Sequence, residues 1–158
     1  MGNIQLLLRQ HVGAPCEPVV KAGDLVKKGT LVAKPTGLGA NIFSSVYGVV
    51  EEIKEDRIVI RPDEEQPDEY EKIPEGTPLE MVKAAGVVGM GGAGFPTGIK
   101  LDAHLDHGYI LINAAECEPG LYHNIRQIEQ QSDKIVRGVK YCMDIAGADK
   151  AILLLRRK

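Results

Sequence analysis

The chain is poor in cysteine, in excess charge of one sign and in long apolar runs, and each shortage removes a class of protein. Its three cysteines, Cys16, Cys117 and Cys142, are widely spaced. An odd, scattered set fits neither a disulfide framework nor a C-x-x-C metal or cluster site. An iron–sulfur cluster takes four cysteine ligands, so these residues alone cannot hold one. Nineteen Lys and Arg stand against 22 Asp and Glu, a net charge of −3. That balance offers no overall attraction to nucleic acid or to an anionic membrane. No stretch reaches the roughly 18 to 20 apolar residues needed to span a bilayer, and the first residues lack the apolar core of a secretion signal. A soluble, cytoplasmic protein is expected, with small molecules and other proteins as partners, no nucleic acid and no direct membrane insertion.

What is present is an ordinary globular composition, 44% apolar and 26% charged over 158 residues, enough for one good core or two small ones. Up to Pro62 the chain has short strands punctuated by glycine: Glu17–Lys21, Leu31–Ala33, Tyr47–Ile53 and Arg57–Arg61. Period two predicts that Val49, Glu51 and Ile53 share one strand face and Ile58 and Ile60 another, with Lys54-Glu-Asp56 as a polar turn. The elements Lys21-Ala-Gly-Asp-Leu-Val-Lys-Lys-Gly29 and Ser45-Val-Tyr-Gly-Val49 resemble the biotinyl and lipoyl barrel-sandwich fold. Carrier domains of that fold present a modified lysine at a hairpin tip. The matching stretch, Thr36-Gly-Leu-Gly-Ala40, has none, and Lys34 comes too early, so a packing or docking module without a covalent group is expected. Gln10-His-Val-Gly-Ala-Pro-Cys-Glu-Pro18 is similar to the opening of RnfC proteins, the C subunits of Rnf electron-transport complexes. His11 beside this turn is expected to be structural rather than a ligand or acid–base group.

Residues 63–78 concentrate acids and prolines and predict an exposed, irregular connection. A short helix is expected from Thr77 or Pro78 to a stop at Gly86. Apolar strands are expected at Tyr109–Asn113 and Ala151–Leu155. Between them Ile125, Ile128, Ser132, Ile135, Val136, Val139, Cys142, Met143 and Ala146 recur at helical steps, and Gly147 is a suitable stop. Strand, helix and strand form a βαβ unit with a parallel sheet, whose strand C-terminal ends supply a ligand crevice near Asn113. Cys142 and Met143 fall on the packing stripe.

Gly89-Met-Gly-Gly-Ala-Gly-Phe-Pro-Thr-Gly-Ile-Lys100 holds five glycines in a dozen residues. Such a loop lets backbone N–H groups converge on a phosphate, with Lys100 as a cation. On composition alone a plain glycine-rich turn remains open, since the order is neither a P-loop nor a Rossmann G-x-G-x-x-G directly after a strand.

The longer string, with Asn113-Ala-Ala-Glu-Cys-Glu-Pro-Gly120 following, resembles the NADH-binding flavoprotein of respiratory complex I and its relative, RnfC. The electron-transfer partner of D-proline reductase is similar too. The resemblance implies an electron-transfer oxidoreductase component that accepts hydride from NADH onto FMN and passes electrons to iron–sulfur centres or a partner reductase. It implies that Gly89, Gly91, Gly92 and Gly94 approach flavin and dinucleotide, Lys100 the flavin phosphate and Phe95 the NADH adenine. Asn113 and Glu116 would contact flavin, and Glu118 the nicotinamide nucleotide. No residue is assigned a catalytic role of its own, because the protein chiefly positions the two cofactors.

Two departures weaken the nucleotide side. Ala115 replaces an aspartate of the complex I pattern, and Ala103 a second aromatic. Cys117 is expected to pack rather than act in redox chemistry. Asp102-Ala-His-Leu-Asp-His107 offers metal-ligand types without tetrahedral spacing, so a solvated helix end is expected and no metal is assigned.

The expected fold is α/β plus β. A barrel-sandwich hybrid module (1–62) and a linker (63–78) precede the N-terminal part of a partial Rossmann-like parallel α/β flavin/NADH-binding domain (79–158). Family proteins continue into further strands and a cluster-bearing region. The chain is therefore expected to be a fragment that does not turn over NADH by itself and that works with other subunits of an electron-transfer complex, peripheral to a membrane. The alternative is a non-catalytic docking or assembly module.

Overall fold

The computed structural model describes residues 2–90 and 92–155. Two compact units make up the chain, Met1–Lys100 and Leu101–Lys158.

The first unit opens with β1 (Ile4–Leu7), β2 (Glu17–Pro18), β3 (Leu25–Val26), β4 (Leu31–Lys34), β5 (Ile42–Phe43), β6 (Gly48–Ile53) and β7 (Arg57–Pro62). These form two antiparallel sheets, ordered β1-β7-β6-β3 and β2-β4-β5. Val32 and Ile42 from the smaller sheet meet Val26, Val50, Ile58 and Ile60 from the larger one in a single cluster with Leu8 and Cys16. Val32, Val50, Ile58 and Ile60 are sealed from solvent, and apolar burial of this kind is the main force holding two short-stranded sheets together. The four strands expected from the pattern are present. β1, β3 and β5 add to them, two of these being only two residues long, too short for alternation to register.

One expectation fails in an instructive way. Val50 pairs with Ile60 and Ile53 with Ile58, while the register shifts between Val50 and Glu52. This bulge inserts one residue, so Ile53 comes round to the face of Val50 rather than that of Val49. The core-facing pair is therefore Val50 and Ile53, three positions apart. The hairpin turn at Lys54–Asp56 closes as expected, the Lys54 N–H donating to Arg57 O (2.8 Å).

The acidic connection is irregular and mostly exposed, yet it is strapped to the barrel. Tyr47 N–H donates to Gln66 Oε1 (3.0 Å), Gln66 Nε2 returns a bond to Tyr47 O (2.8 Å), and the Tyr47 hydroxyl donates to Glu69 O (3.1 Å). Further on, Glu71 N–H donates to Lys28 O (2.8 Å). It leads into α1 (Pro78–Ala84), where Thr77 and Glu80 form a reciprocal capping box with proline in the first turn. Asn41 Nδ2 donates to Ala84 O at the far end (3.0 Å), which ties the last turn of α1 to the barrel. The compact unit extends past the acidic connection to Lys100.

A short helix, α2 (Thr97–Leu101), crosses the boundary between the units. The second unit continues with β8 (Gly108–Asn113), α3 (His123–Ala146) and β9 (Ala148–Leu154). β8 and β9 are parallel, with Ile110 opposite Ala151, Leu111 opposite Ile152 and Ile112 opposite Leu153, the expected βαβ unit. α3 packs along β9 and ends on Gly147 in the left-handed conformation. Its stripe is interrupted: Gln131 leaves helical geometry, and Ser132 and Val136, expected on the packed face, are exposed, whereas Ile125, Ile128, Ile135, Val139, Cys142 and Met143 are half-buried. No helix among the described residues is long and apolar enough to cross a membrane.

Candidate functional site

The glycine-rich stretch is a closed loop. Val88 pairs with Pro96, Gly89 N–H donates to Phe95 O (2.9 Å) and Thr97 N–H to Val87 O (2.8 Å), so residues 89–95 project from a two-sided base. Within it Gly92 (φ 62°) and Gly94 (φ 63°) are left-handed. Single left-handed turns swing successive amides toward one side, the backbone setting of an anion-binding nest. Among the described residues the N–H groups of Gly92 and Gly94 have no acceptor, and nothing stands within 4 Å of a Cβ built on Gly92. Free amides bordering open space fit a phosphate group. Gly91 lies outside the described residues.

Lys100 Nζ stands 5.8 Å from the centroid of the Phe95 ring, within cation–π range. The cation expected at a phosphate and the ring expected at an adenine are thus neighbours on one loop and one short helix. Sequence reasoning overlooked Val12, whose N–H donates to Ala93 O in the middle of this loop (2.8 Å). The available signal was its place inside the motif that begins at Gln10.

In the second unit the expected residues gather after the C-terminal end of β8. Asn113 Oδ1 accepts from Ala115 N–H (3.1 Å), and Ala114 N–H donates to Leu154 O (2.9 Å), carrying the sheet into the turn. Glu116 then folds inward with its side chain only 7% exposed. Its Oε1 accepts from the N–H groups of Asn124 (2.7 Å) and Ile125 (3.2 Å). Tyr122, at the N-cap position, makes no side-chain cap bond, so a carboxylate from outside the helix caps α3, where the unpaired amides and the helix dipole favour negative charge. Oε2 is buried with no donor aligned on it, although His123 Nδ1 lies 3.1 Å away, within ion-pair range.

Glu118 is exposed. Cys117 is exposed as well, which corrects the expectation that it packs. Burial raises the Cys16 and Cys142 thiols above their ordinary range, and of the three cysteines Cys117 is the exposed one.

His104 and His107 fall in the turn after α2, both with left-handed backbone, rather than on a helix end. His107 Nδ1 meets Asp149 Oδ2 at 2.8 Å and His104 Nε2 meets Asp102 Oδ1 at 3.0 Å. Among the described residues no three His, Cys, Asp or Glu side chains converge as a metal site would require.

A barrel-type β unit, a glycine loop with unpaired amides and a βαβ unit with a carboxylate-bearing turn after its first strand are what the comparisons with known proteins resolve into two domains. Residues 2–66 match the family model of the RnfC barrel sandwich hybrid domain. Residues 82–158 match that of the Nuo51 FMN-binding domain. The chain is 40% identical over 170 residues to the C subunit of the proton-translocating ferredoxin:NAD(+) oxidoreductase complex of Clostridium ljungdahlii, a match covering 92% of this chain and 36% of that protein. It is also 40% identical over 157 residues to the C subunit of the ion-translocating oxidoreductase complex of Rhodobacter capsulatus, covering 86% and 30%. Half of the chain is similar to the cobalamin reductase PduS of Citrobacter freundii, at 48% identity over 79 residues and 17% of that protein. The chain belongs to the RnfC family, the C subunits of Rnf electron-transport complexes. It spans about a third of the length of the first two relatives.

Proposed function

We propose that this chain contributes the flavin- and NADH-binding part of an electron-transfer oxidoreductase that works with other subunits of a complex peripheral to a membrane, on the cytoplasmic side. The observation that carries this is the loop from Gly89 to Lys100, where among the described residues left-handed Gly92 and Gly94 have amides without an acceptor, Gly92 borders open space, and Lys100 adds a cation. In this assignment Gly89, Gly91, Gly92, Gly94 and Lys100 hold the FMN phosphate and Phe95 the adenine of NADH. Asn113 and Glu116 hold the flavin, and Glu118 holds the nicotinamide nucleotide. Bound FMN supplies the hydride-accepting chemistry and single-electron release to iron–sulfur centres or a partner reductase. The protein's own part is to bind and orient.

In functional terms the barrel-sandwich module is residues 1–62, the connection 63–78, and the flavin domain begins at 79. That domain is the start of a Rossmann-like parallel sheet, a description supported by the parallel pairing of β8 and β9 around α3.

Titration of the chain with FMN, followed by flavin absorbance and fluorescence, tests the proposal. Saturable binding is expected, and Gly92→Val is expected to weaken it by at least about tenfold, because a β-branched residue strains a left-handed backbone by about 1–2 kcal/mol and blocks the open space. Unchanged affinity in Gly92→Val removes this loop from the site. One observation favours a second reading, a non-catalytic docking or assembly module: Glu116 already spends one oxygen on the start of α3. Absence of any flavin binding by wild-type protein would select that alternative.

A further inference from the structure

The opening motif has no part in the flavin assignment, yet it holds a buried histidine with a full set of partners. His11 is 7% exposed. Its Nδ1 lies 3.0 Å from Val12 O, and its Nε2 lies 3.1 Å from both the amide nitrogen and the carbonyl oxygen of Ala40. A carbonyl can only accept, so in the bond to Val12 O it is Nδ1 that donates. Cys16 Sγ completes the pocket, 3.3 Å from Ala40 O and 3.4 Å from Nε2.

The packing around the ring admits one arrangement. A Cβ built on Gly39 would stand 2.6 Å from His11 Cε1, and one built on Gly13 would stand 2.0 Å from Leu38 O. The hairpin tip at residues 36–40 is therefore wedged onto residues 11–13, a use that needs no lysine. Val12 has both backbone polar groups committed: its carbonyl to the His11 ring, its N–H to Ala93 O in the glycine-rich loop (2.8 Å). Gly94 lies against the same segment, its Cβ position 3.3 Å from Gln10 O.

We propose that His11 is a positioning residue for the glycine-rich loop: anchored to the hairpin tip at Ala40, it fixes the Val12 backbone through its carbonyl, so that the Val12 N–H is held on Ala93, and thereby sets how tightly the loop takes a phosphate. The last step rests on the flavin assignment above; the loop-positioning step does not.

Hydrogen–deuterium exchange of the whole chain without ligand tests the positioning step. His11→Leu, which removes both ring bonds, is expected to speed amide exchange across residues 89–95 about tenfold, the effect of one lost buried hydrogen bond, while β6 and β7 stay protected. His11→Asn places an N–H donor where Nδ1 stands and is expected to stay within about threefold of wild type. Unchanged loop exchange in a folded His11→Leu overturns the proposal, as does equal loosening by Leu and Asn. If His11→Leu fails to fold, His11→Asn decides alone: a protected loop supports the proposal, and a released loop over a protected barrel overturns it.

The second arm compares FMN with riboflavin, which lacks the phosphate. His11→Leu is expected to weaken FMN about tenfold and riboflavin less than about twofold, because the loop acts on the phosphate. Equal loss for both ligands overturns the phosphate step. Wild-type protein that binds neither ligand overturns that step and the flavin assignment together, while the exchange experiment still decides the positioning role.

Discussion

The two units solve the problem of burial differently. In the first, seven short antiparallel strands return on themselves through tight turns, and Val32, Val50, Ile58 and Ile60 are sealed. In the second, one parallel strand pair has α3 packed along it. Tyr109 and Leu111, with Ile152 and Leu154 opposite or beyond them, are exposed (56%, 63%, 43% and 45%). The lesson is one of topology. Antiparallel strands pair through hairpins and close a core with little chain, whereas parallel strands need a crossover and are normally covered on both faces.

The largest test of this contrast is a pair of truncations. Ile58→Ala in the closed core is expected to cost about 2–5 kcal/mol. Leu111→Ala on the open face is expected to stay within about 0.5 kcal/mol. Both are read from urea unfolding followed by circular dichroism. A large loss from Leu111→Ala would mean that this face is covered in solution, and the contrast would break.

Thiol labelling sharpens it at three sites. Cys117 is expected to react rapidly with an aromatic disulfide reagent at mildly alkaline pH. Half-buried Cys142 should be slower, and Cys16 should react only on unfolding, since burial both shields these two thiols and raises them, lowering the thiolate fraction. Prompt labelling of Cys16 in native protein would show that the barrel opens.

A smaller effect separates local from long-range capping. Glu116→Ala is expected to destabilise the second unit by about 1–3 kcal/mol through loss of a charged acceptor for two helix amides. Glu116→Gln keeps an oxygen for them and should recover most of that. Equal losses in the two variants would show that the charge at Oε2, rather than the cap at Oε1, matters.

The smallest expected effect is on pH dependence. Hydrogen bonds from the Thr77 backbone and hydroxyl hold the exposed Glu80 carboxyl below the ordinary glutamate range. A group depressed in the folded state contributes stability that is complete above the unfolded value and lost as pH falls through the folded one. The start of α1 should therefore loosen on acidification below the usual carboxylate range, and Glu80→Gln should flatten that part of the stability profile. A profile unchanged by the substitution would remove the capping box from the acid response.

Much of the fold was legible in the residues. The helix from Thr77 or Pro78 was legible ahead of its stop at Gly86, as were the stop at Gly147 from its glycine and β8 and β9 from their compact apolar runs. The bulge at Glu51 was not, because one inserted residue leaves no mark on composition and shows only when two strands are paired. Ser132 and Val136 satisfied the helical period, yet both are exposed, just beyond the break in helical geometry at Gln131. At the candidate site the loop itself was legible from its five glycines, of which Gly92 and Gly94 take left-handed backbone. The capping role of Glu116 was hidden, since its partners Asn124 and Ile125 lie eight and nine residues away across a turn.

By itself the sequence determined the family, four of the seven strands of the first unit, the helix after the acidic connection and the strand–helix–strand order of the second unit, because turns and apolar periods act over a few residues. Only the tertiary structure decided what Glu116, His11 and Val12 do. Each makes bonds to backbone groups brought near by folding, Ala40 lying 29 positions from His11 and Ala93 lying 81 from Val12. No local period encodes such a distance. The backbone amide or carbonyl at the far end carries no residue identity, so the partner becomes visible only once the chain has closed on itself.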